Sequence, residues 1–497
     1  MIPGTFAFGK RREATLLEAD ACVIGSGAGG ATAACALAQA GLSVIVIEEG
    51  RSWKPSDFRP TTPWSFQHLY AGRGARNARG NTILPVPGGR GVGGSTLINS
   101  GICFRTPEPV LDDWRQNHGV VLPAKPEMDS LFDRVWTTIG ASVSPPAVMG
   151  EHNDVFRRGC EALGLDGHWM TRSAPGCVGC GTCQQGCGSG GKSSVDKTFL
   201  VEALATGRVA VHADARVERI VTDGDRVVAV EGVEIDPDGY RAAGPFRVKA
   251  RVFVLSAGAV GSPRLLRASG LGEGPVGEHL HVHPTSCVMG RFAHEIRLWE
   301  GATQGYYVDN WKEGYLLQTF NVPVDQFYLT VPLPPDEALA ATADMAHYAM
   351  AGVVVHDEDS VGSVGTSGLT YHVGDIDRKR MLAGLRAAAR AYFAAGAEHV
   401  LSAVHGAPVL RSAADVDRVL HDDWTAWDIG MYASHPMGTC RMGSDPARTV
   451  CTPEGRARGT ANLYVADASV FPTSLGVNPQ VTIMALGLTI GGAAARG

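Results

Sequence analysis

The chain has 497 residues, room for about three units of ~150 residues. Hydrophobic residues make up 44% and charged residues 19%, and 44 Lys and Arg against 50 Asp and Glu leave a net charge of −6. That balance excludes the basic surface of a nucleic-acid binder, no stretch of 18 apolar residues offers a membrane span, and the N-terminus (Lys10, Arg11, Arg12) lacks the apolar run of a cleaved signal. Eleven cysteines, an odd number in a long chain, fit a reducing compartment better than a disulfide scaffold, so a cytoplasmic location is expected. Glycine stands out: 63 residues, close to twice the usual ~7%. With no collagen period, such an excess implies many tight backbone approaches, as a large phosphate-bearing cofactor would require.

In chain order, Ala19–Ile24 reads as an apolar strand, Gly25-Ser-Gly27-Ala-Gly29-Gly30 as a tight turn and Ala31–Ala40 as a helix. Ser43–Ile47 reads as a second strand, closed by Glu48-Glu49-Gly50. Residues 51–94 are rich in loops, residues 107–175 helical in pieces, and residues 176–191 dense in cysteine. Strands are expected at Val209–His212, Arg216–Val221, Arg226–Ile235 and Arg247–Ser256. Residues 284–430 combine aromatic-rich strands (Gly305–Val308, Tyr315–Val322) with an alanine-rich helix, Lys379–Ala395. A short strand at Leu463–Ala466 and a closing helix from about Val481 follow.

A bare GxGxxG says little in so glycine-rich a chain, and the pattern occurs four times, starting at Gly25, Gly89, Gly186 and Gly272. Only the first lies between a strand and a helix. Only it has an acidic residue at the right distance, Glu48, 18 residues past Gly30 at the end of the next strand. That context is the dinucleotide fingerprint, with Gly25, Gly27 and Gly30 shaping the turn, the pyrophosphate on the helix N-terminus and the carboxylate on a ribose hydroxyl. The turn alone does not separate FAD from NAD.

Three further stretches resemble the glucose–methanol–choline oxidoreductase family, whose members bind FAD. They are Gly88-Gly-Arg-Gly-Val-Gly-Gly-Ser-Thr-Leu-Ile-Asn99-Ser-Gly, then Ser256-Ala-Gly-Ala-Val-Gly-Ser-Pro-Arg-Leu-Leu, and last a C-terminal block. This block comprises His435-Pro-Met-Gly-Thr-Cys-Arg-Met-Gly, Leu463-Tyr-Val-Ala-Asp467-Ala-Ser and Gly476-Val-Asn478-Pro-Gln-Val-Thr. It looks most like the branch of cholesterol and long-chain alcohol oxidases. The resemblance covers both ends and the middle of the chain but not residues 284–430. It implies an α/β fold with a Rossmann-like FAD domain (15–115, 192–283 and 431–497). A helical and cysteine-loop insertion (116–191) and an α+β substrate domain on a mainly antiparallel sheet (284–430) complete the expected architecture. Besides the first turn and Glu48, it assigns Gly94, Asn99, Ser100, Val217, Asp467, Ala468 and Gln480 to the cofactor. Where some members attach the flavin through a histidine just before the signature asparagine, this chain has Ile98, so non-covalent FAD is expected.

Taking a hydride from a carbinol carbon also requires a base for the hydroxyl proton, and histidine is best matched to neutral pH. By the motifs, His435 is the expected base and Asn478 its uncharged partner, orienting the hydroxyl. His281 and His283 read as packing or loop histidines. A sugar oxidase of the pyranose type shares this His/Asn arrangement, and a redox-silent lyase or a light-driven decarboxylase are rivals from other reaction classes. The electron acceptor, whether oxygen, a quinone or a redox protein, is left open.

Cys177, Cys180, Cys183 and Cys187 have the spacing C-x2-C-x2-C-x3-C of a ferredoxin run, with Gly188 in place of the usual proline. An iron–sulfur cluster passing electrons from the flavin, a structural zinc site, and plain thiols all fit this spacing.

Overall fold

The computed structural model describes residues 5–7 (backbone alone), 14–236, 241–330 and 333–497. Its first body is a six-stranded parallel sheet in the order Thr5–Ala7, Val209–Ala213, Val44–Ile47, Ala21–Ile24, Val252–Leu255, Leu463–Val465. The central strands are continuous apolar runs because both faces of the sheet are covered. The alanine-rich helix Ala28–Gln39 lies on the sheet, and the C-terminal helix Gln480–Arg496 packs along it. Against this body sits a four-stranded sheet of Ala215–Asp223, Arg226–Ile235, Ala242–Lys249 and Thr15–Glu18.

The expected strand Arg247–Ser256 is in fact two. Residues up to Lys249 end a strand of the four-stranded sheet, and Val252–Leu255 enters the parallel sheet beside Ala21–Ile24. Between them Arg251 N and Val252 N both donate to Asp20 O, at 3.0 and 3.1 Å. No Gly or Pro marks this corner, so the apolar pattern runs straight through it.

The second body is a seven-stranded antiparallel sheet in the order Val409–Leu410, His399–Ser402, Thr285–Arg291, Tyr348–Val355, Tyr315–Phe320, Tyr306–Asn310, Gly167–Trp169. Helices Asp375–Ala394 and Glu151–Ala162 cover it. The long helix starts four residues before the expected Lys379, because Asp375 and Asp377 occupy a first turn that favours acids while hiding the apolar period. Residues 116–191 are shared between the two bodies: Lys125–Thr138 packs on the C-terminal helix, whereas Glu151–Ala162 and Gly167–Trp169 complete the antiparallel sheet. Among the described residues no helix is long and apolar enough to cross a membrane.

Candidate active site

Gly25 takes φ +99°, a left-handed turn out of the first strand, with its N–H on Ile47 O at 2.8 Å. At Gly30 a Cβ would fall 1.9 Å from Gly25 O, so any side chain there would open the turn. Gly27 caps the helix, whose first turn holds no acidic residue, leaving its amide end free to meet an anion. The second glycine-rich stretch backs onto the first: a Cβ on Gly94 would lie 2.7 Å from Gly27 Cα, and Gly93 N donates to Ser26 Oγ at 3.1 Å. Two side-chain-free backbones thus meet at a helix N-terminus, the surroundings a pyrophosphate needs.

Glu48 joins the two stretches. Its Oε2 accepts from Ser26 N (3.0 Å) and Ser26 Oγ (2.7 Å), and its Oε1 from Gly50 N (2.9 Å) and Gly91 N (3.3 Å). Burial raises its pKa, an effect opposed by the Gly50 and Ser26 bonds. Four donors fill the roughly four lone-pair sites of a carboxylate, so a ribose hydroxyl would have to displace one.

Asp467 gathers donors at the C-terminal side of the candidate site, accepting from Gly258 N (2.9 Å), Ser262 Oγ (2.5 Å) and Ser469 N (2.8 Å). It thereby ties the 256–266 motif to the C-terminal block, and Ala468 O takes Gly438 N at 3.0 Å. Asn99 Nδ2 donates to Gln480 Oε1 (2.8 Å), and Gln480 Nε2 to Ile102 O (2.7 Å), so the first signature is pinned to the start of the last helix. Ser100 is buried and its carbonyl accepts from Arg172 Nε at 2.9 Å. Val217 lies apart from these residues, on the four-stranded sheet opposite Gly232.

His435 and Asn478, 43 residues apart, come together: His435 Nε2 is 3.1 Å from Asn478 Nδ2. Gln318, from the antiparallel sheet, donates Nε2 to Asn478 Oδ1 (2.9 Å), and Gln304 Nε2 donates to Gln318 Oε1 (3.2 Å). On the other side His435 Nδ1 is 3.3 Å from Nδ1 of His283, a fully buried ring that meets it edge-on at 5.2 Å between centroids. Gly476 N donates to His283 Nε2 at 3.0 Å. Burial lowers the His435 pKa to about 4, so the ring is neutral at pH 7 and has a lone pair to receive a proton. His283, read from the sequence as a packing or loop histidine, thus touches His435, and its place in the Glu278–Pro284 histidine run was its only mark. Gln318 carried no sequence signal at all.

The four loop cysteines line one small pocket together with Lys192 and Gly301. Each sulfur has a polar partner of its own or shares Arg172. Arg172 Nη2 donates to Cys183 Sγ (3.2 Å) and Nη1 to Cys177 Sγ (3.7 Å). Cys180 Sγ is 3.3 Å from Thr182 Oγ1, and Cys187 Sγ accepts from Lys192 N at 3.3 Å. Among the described residues no three His, Cys, Asp or Glu side chains are placed to hold a metal ion. The buried Lys192 donates Nζ to Leu97 O (2.9 Å), Asn99 O (2.6 Å) and Cys183 O (3.3 Å), linking this loop to the first signature.

Comparison with known proteins agrees with the geometry. Two models of the GMC oxidoreductase family match residues 66–285 and 366–487, and a model of an FAD-binding domain matches residues 20–58. An uncharacterised GMC-type oxidoreductase of Mycobacterium tuberculosis is 35% identical over 96% of this chain and 76% of its own length. The chain belongs to the GMC oxidoreductase family. It is also similar to long-chain-alcohol oxidase FAO3 of Arabidopsis thaliana, 27% identical over 95% of this chain and 67% of that one. Among solved structures, pyridoxine 4-oxidase from Mesorbium loti superposes with a TM-score of 0.72 at 20% identity, covering 96% of this chain and 98% of that one, which shows a shared fold. As a member of the GMC family, the chain is an FAD-dependent oxidoreductase acting on CH–OH groups.

Proposed function

We propose that the chain oxidises an uncharged alcohol to a carbonyl, with His435 as the proton acceptor and Asn478 orienting the hydroxyl. The observation that carries this reading is the His435–Asn478 contact at 3.1 Å, built from two segments that flank the Asp467 motif. Bound FAD supplies the hydride acceptor. The glycine turn 25–30, Glu48, Gly94, Asn99, Ser100, Asp467, Ala468 and Gln480 would hold it, with Val217 as an outlying contact. Neutral His435 takes the hydroxyl proton, and Asn478, without a charge of its own, directs the oxygen without competing for that proton. The likeness to a long-chain-alcohol oxidase makes aliphatic alcohols the first class to test. Under anaerobic conditions a fatty alcohol should bleach the oxidised-flavin absorption band. Bleaching by glycosides alone would turn the reading to a sugar oxidase, and no bleaching by any alcohol would turn it to a redox-silent lyase. Reoxidation by oxygen, a quinone or a redox protein then identifies the acceptor. The eleven free cysteines favour a reducing compartment such as the cytoplasm.

For the cysteine loop we propose a structural role. Cys177 and Cys183 share the Arg172 guanidinium while Cys180 and Cys187 have local partners. The two buried cations, Arg172 and Lys192, lean on the loop while gripping the carbonyls of Leu97, Asn99 and Ser100. Iron and acid-labile sulfide per flavin, measured on protein purified without oxygen, should both be near zero. Cys183→Ser should lower the unfolding temperature and leave flavin reduction by alcohol intact. Stoichiometric iron and sulfide would establish an electron relay instead.

A further inference from the structure

The string Gly476–His283–His435–Asn478–Gln318–Gln304 contains a conflict over where the His435 proton sits. A neutral imidazole has one N–H and one lone pair. His283 accepts Gly476 N–H at Nε2, so its own proton is on Nδ1, facing Nδ1 of His435 at 3.3 Å. Followed from that end, His435 becomes an acceptor at Nδ1 and carries its proton on Nε2. A protonated Nε2 cannot take a proton from a substrate hydroxyl.

The other end pulls the opposite way. Gln304 donates to Gln318, and Gln318 donates to Asn478 Oδ1, which turns the Asn478 NH2 toward His435 Nε2. That nitrogen is then the acceptor. Two neutral rings cannot satisfy both ends, because two N–H groups would meet at the Nδ1–Nδ1 contact. At 3.3 Å this contact is longer than the Gly476, Asn478 and Gln318 contacts beside it, and it is where the string gives way.

We propose that Gln318 is a positioning residue that holds the Asn478 amide so that His435 Nε2 stays free to accept the substrate proton. Its placement suits the task. Gln318 is fully buried on the inner strand Tyr315–Phe320, locked in register against Tyr307 and Gly352, and both ends of its amide are engaged by other buried amides. Without this partner Asn478 would be free to turn its amide over, and the Gly476 end would then decide the tautomer.

The inference rests on His435 being the base, and its test separates the two ideas. Gln318→Leu removes the donor and should lower kcat about 10- to 100-fold, as a misplaced reacting group does, with flavin content unchanged. Gln318→Glu keeps the shape and reverses the polarity. When ionised, the introduced carboxylate only accepts, so Asn478 turns its NH2 away from His435. When protonated, the same group donates to Asn478 Oδ1 again. The kcat of Gln318→Glu should therefore be near wild type at low pH and fall as pH rises through the carboxyl pKa, a limb that wild type lacks. A merely structural Gln318 would produce no such limb. If Gln318→Glu does not fold, Gln318→Met, of similar length, should reproduce the kcat loss of Gln318→Leu with KM little changed. Wild-type kcat in the Leu and Met variants, or a Glu variant without the new limb, overturns the proposal. Full turnover in His435→Ala would instead overturn the base assignment beneath it.

Discussion

His435→Ala should keep its flavin and lose most of its turnover, with kcat falling ~10²–10⁴-fold, the usual worth of a positioned general base. The effect is expected to be on kcat because the proposed mechanism has the imidazole take the hydroxyl proton, while the residues proposed to hold the cofactor, the 25–30 turn, Glu48 and Asp467, lie on other segments. The wild-type pH profile of kcat/KM adds a second readout. Burial lowers the His435 pKa to about 4, so the ring is neutral at pH 7 and becomes charged only as pH falls through that value. Activity limited by this base should thus be flat from neutral pH downward and drop near pH 4, an acid limb that His435→Ala should lack. Turnover within a few-fold of wild type in His435→Ala would move the base to another residue. His283, 3.3 Å away, is the first to test.

The parts legible in the sequence were those written in local pattern. Strand, glycine turn, helix and second strand all lie within residues 21–47, and the apolar runs and punctuation specify them without help from the rest of the chain. Glu48 was found by its distance from the turn, as a ribose contact; what the sequence did not show is that its oxygens also bridge Ser26, Gly50 and Gly91. Motif likeness located His435 and Asn478. It could not reach Gln318, which lies in an ordinary strand sequence, Leu-Leu-Gln-Thr-Phe, and meets Asn478 only because the antiparallel sheet is carried 160 residues along the chain to face the C-terminal block. Arg172 was silent for the same reason. A buried guanidinium becomes visible only once Ser100, Cys177 and Cys183 surround it. The four cysteines were legible as a cluster, yet spacing alone could not show that two of the sulfurs share the Arg172 guanidinium.

Glu48→Ala should purify with substoichiometric flavin and a clearly lower unfolding temperature, whereas Glu49→Ala should differ little from wild type. Removing the Glu48 carboxylate leaves Ser26 N, Ser26 Oγ, Gly50 N and Gly91 N without their acceptor in a buried setting. Each buried donor left unpaired costs about 1–3 kcal/mol, so even with partial relaxation the loss amounts to several kcal/mol. The damage should fall on the cofactor as well, since Ser26 and Gly91 belong to the two glycine-rich stretches that, in the proposed binding mode, would hold its phosphates. Glu49 is a contrasting control one residue away. Its carboxylate is 48% exposed and meets Arg90 at 3.3 Å, and Arg90 would keep its bond to the Glu49 carbonyl at 3.1 Å when the side chain is removed. Added FAD should raise the unfolding temperature of Glu48→Ala in proportion to the logarithm of its concentration above Kd, because the cofactor binds the folded chain alone. Measured flavin-to-protein ratios decide the matter. Full occupancy in Glu48→Ala together with loss in Glu49→Ala would shift the bridging role to Glu49, and the second glycine stretch would then be held through Arg90 rather than through Gly91.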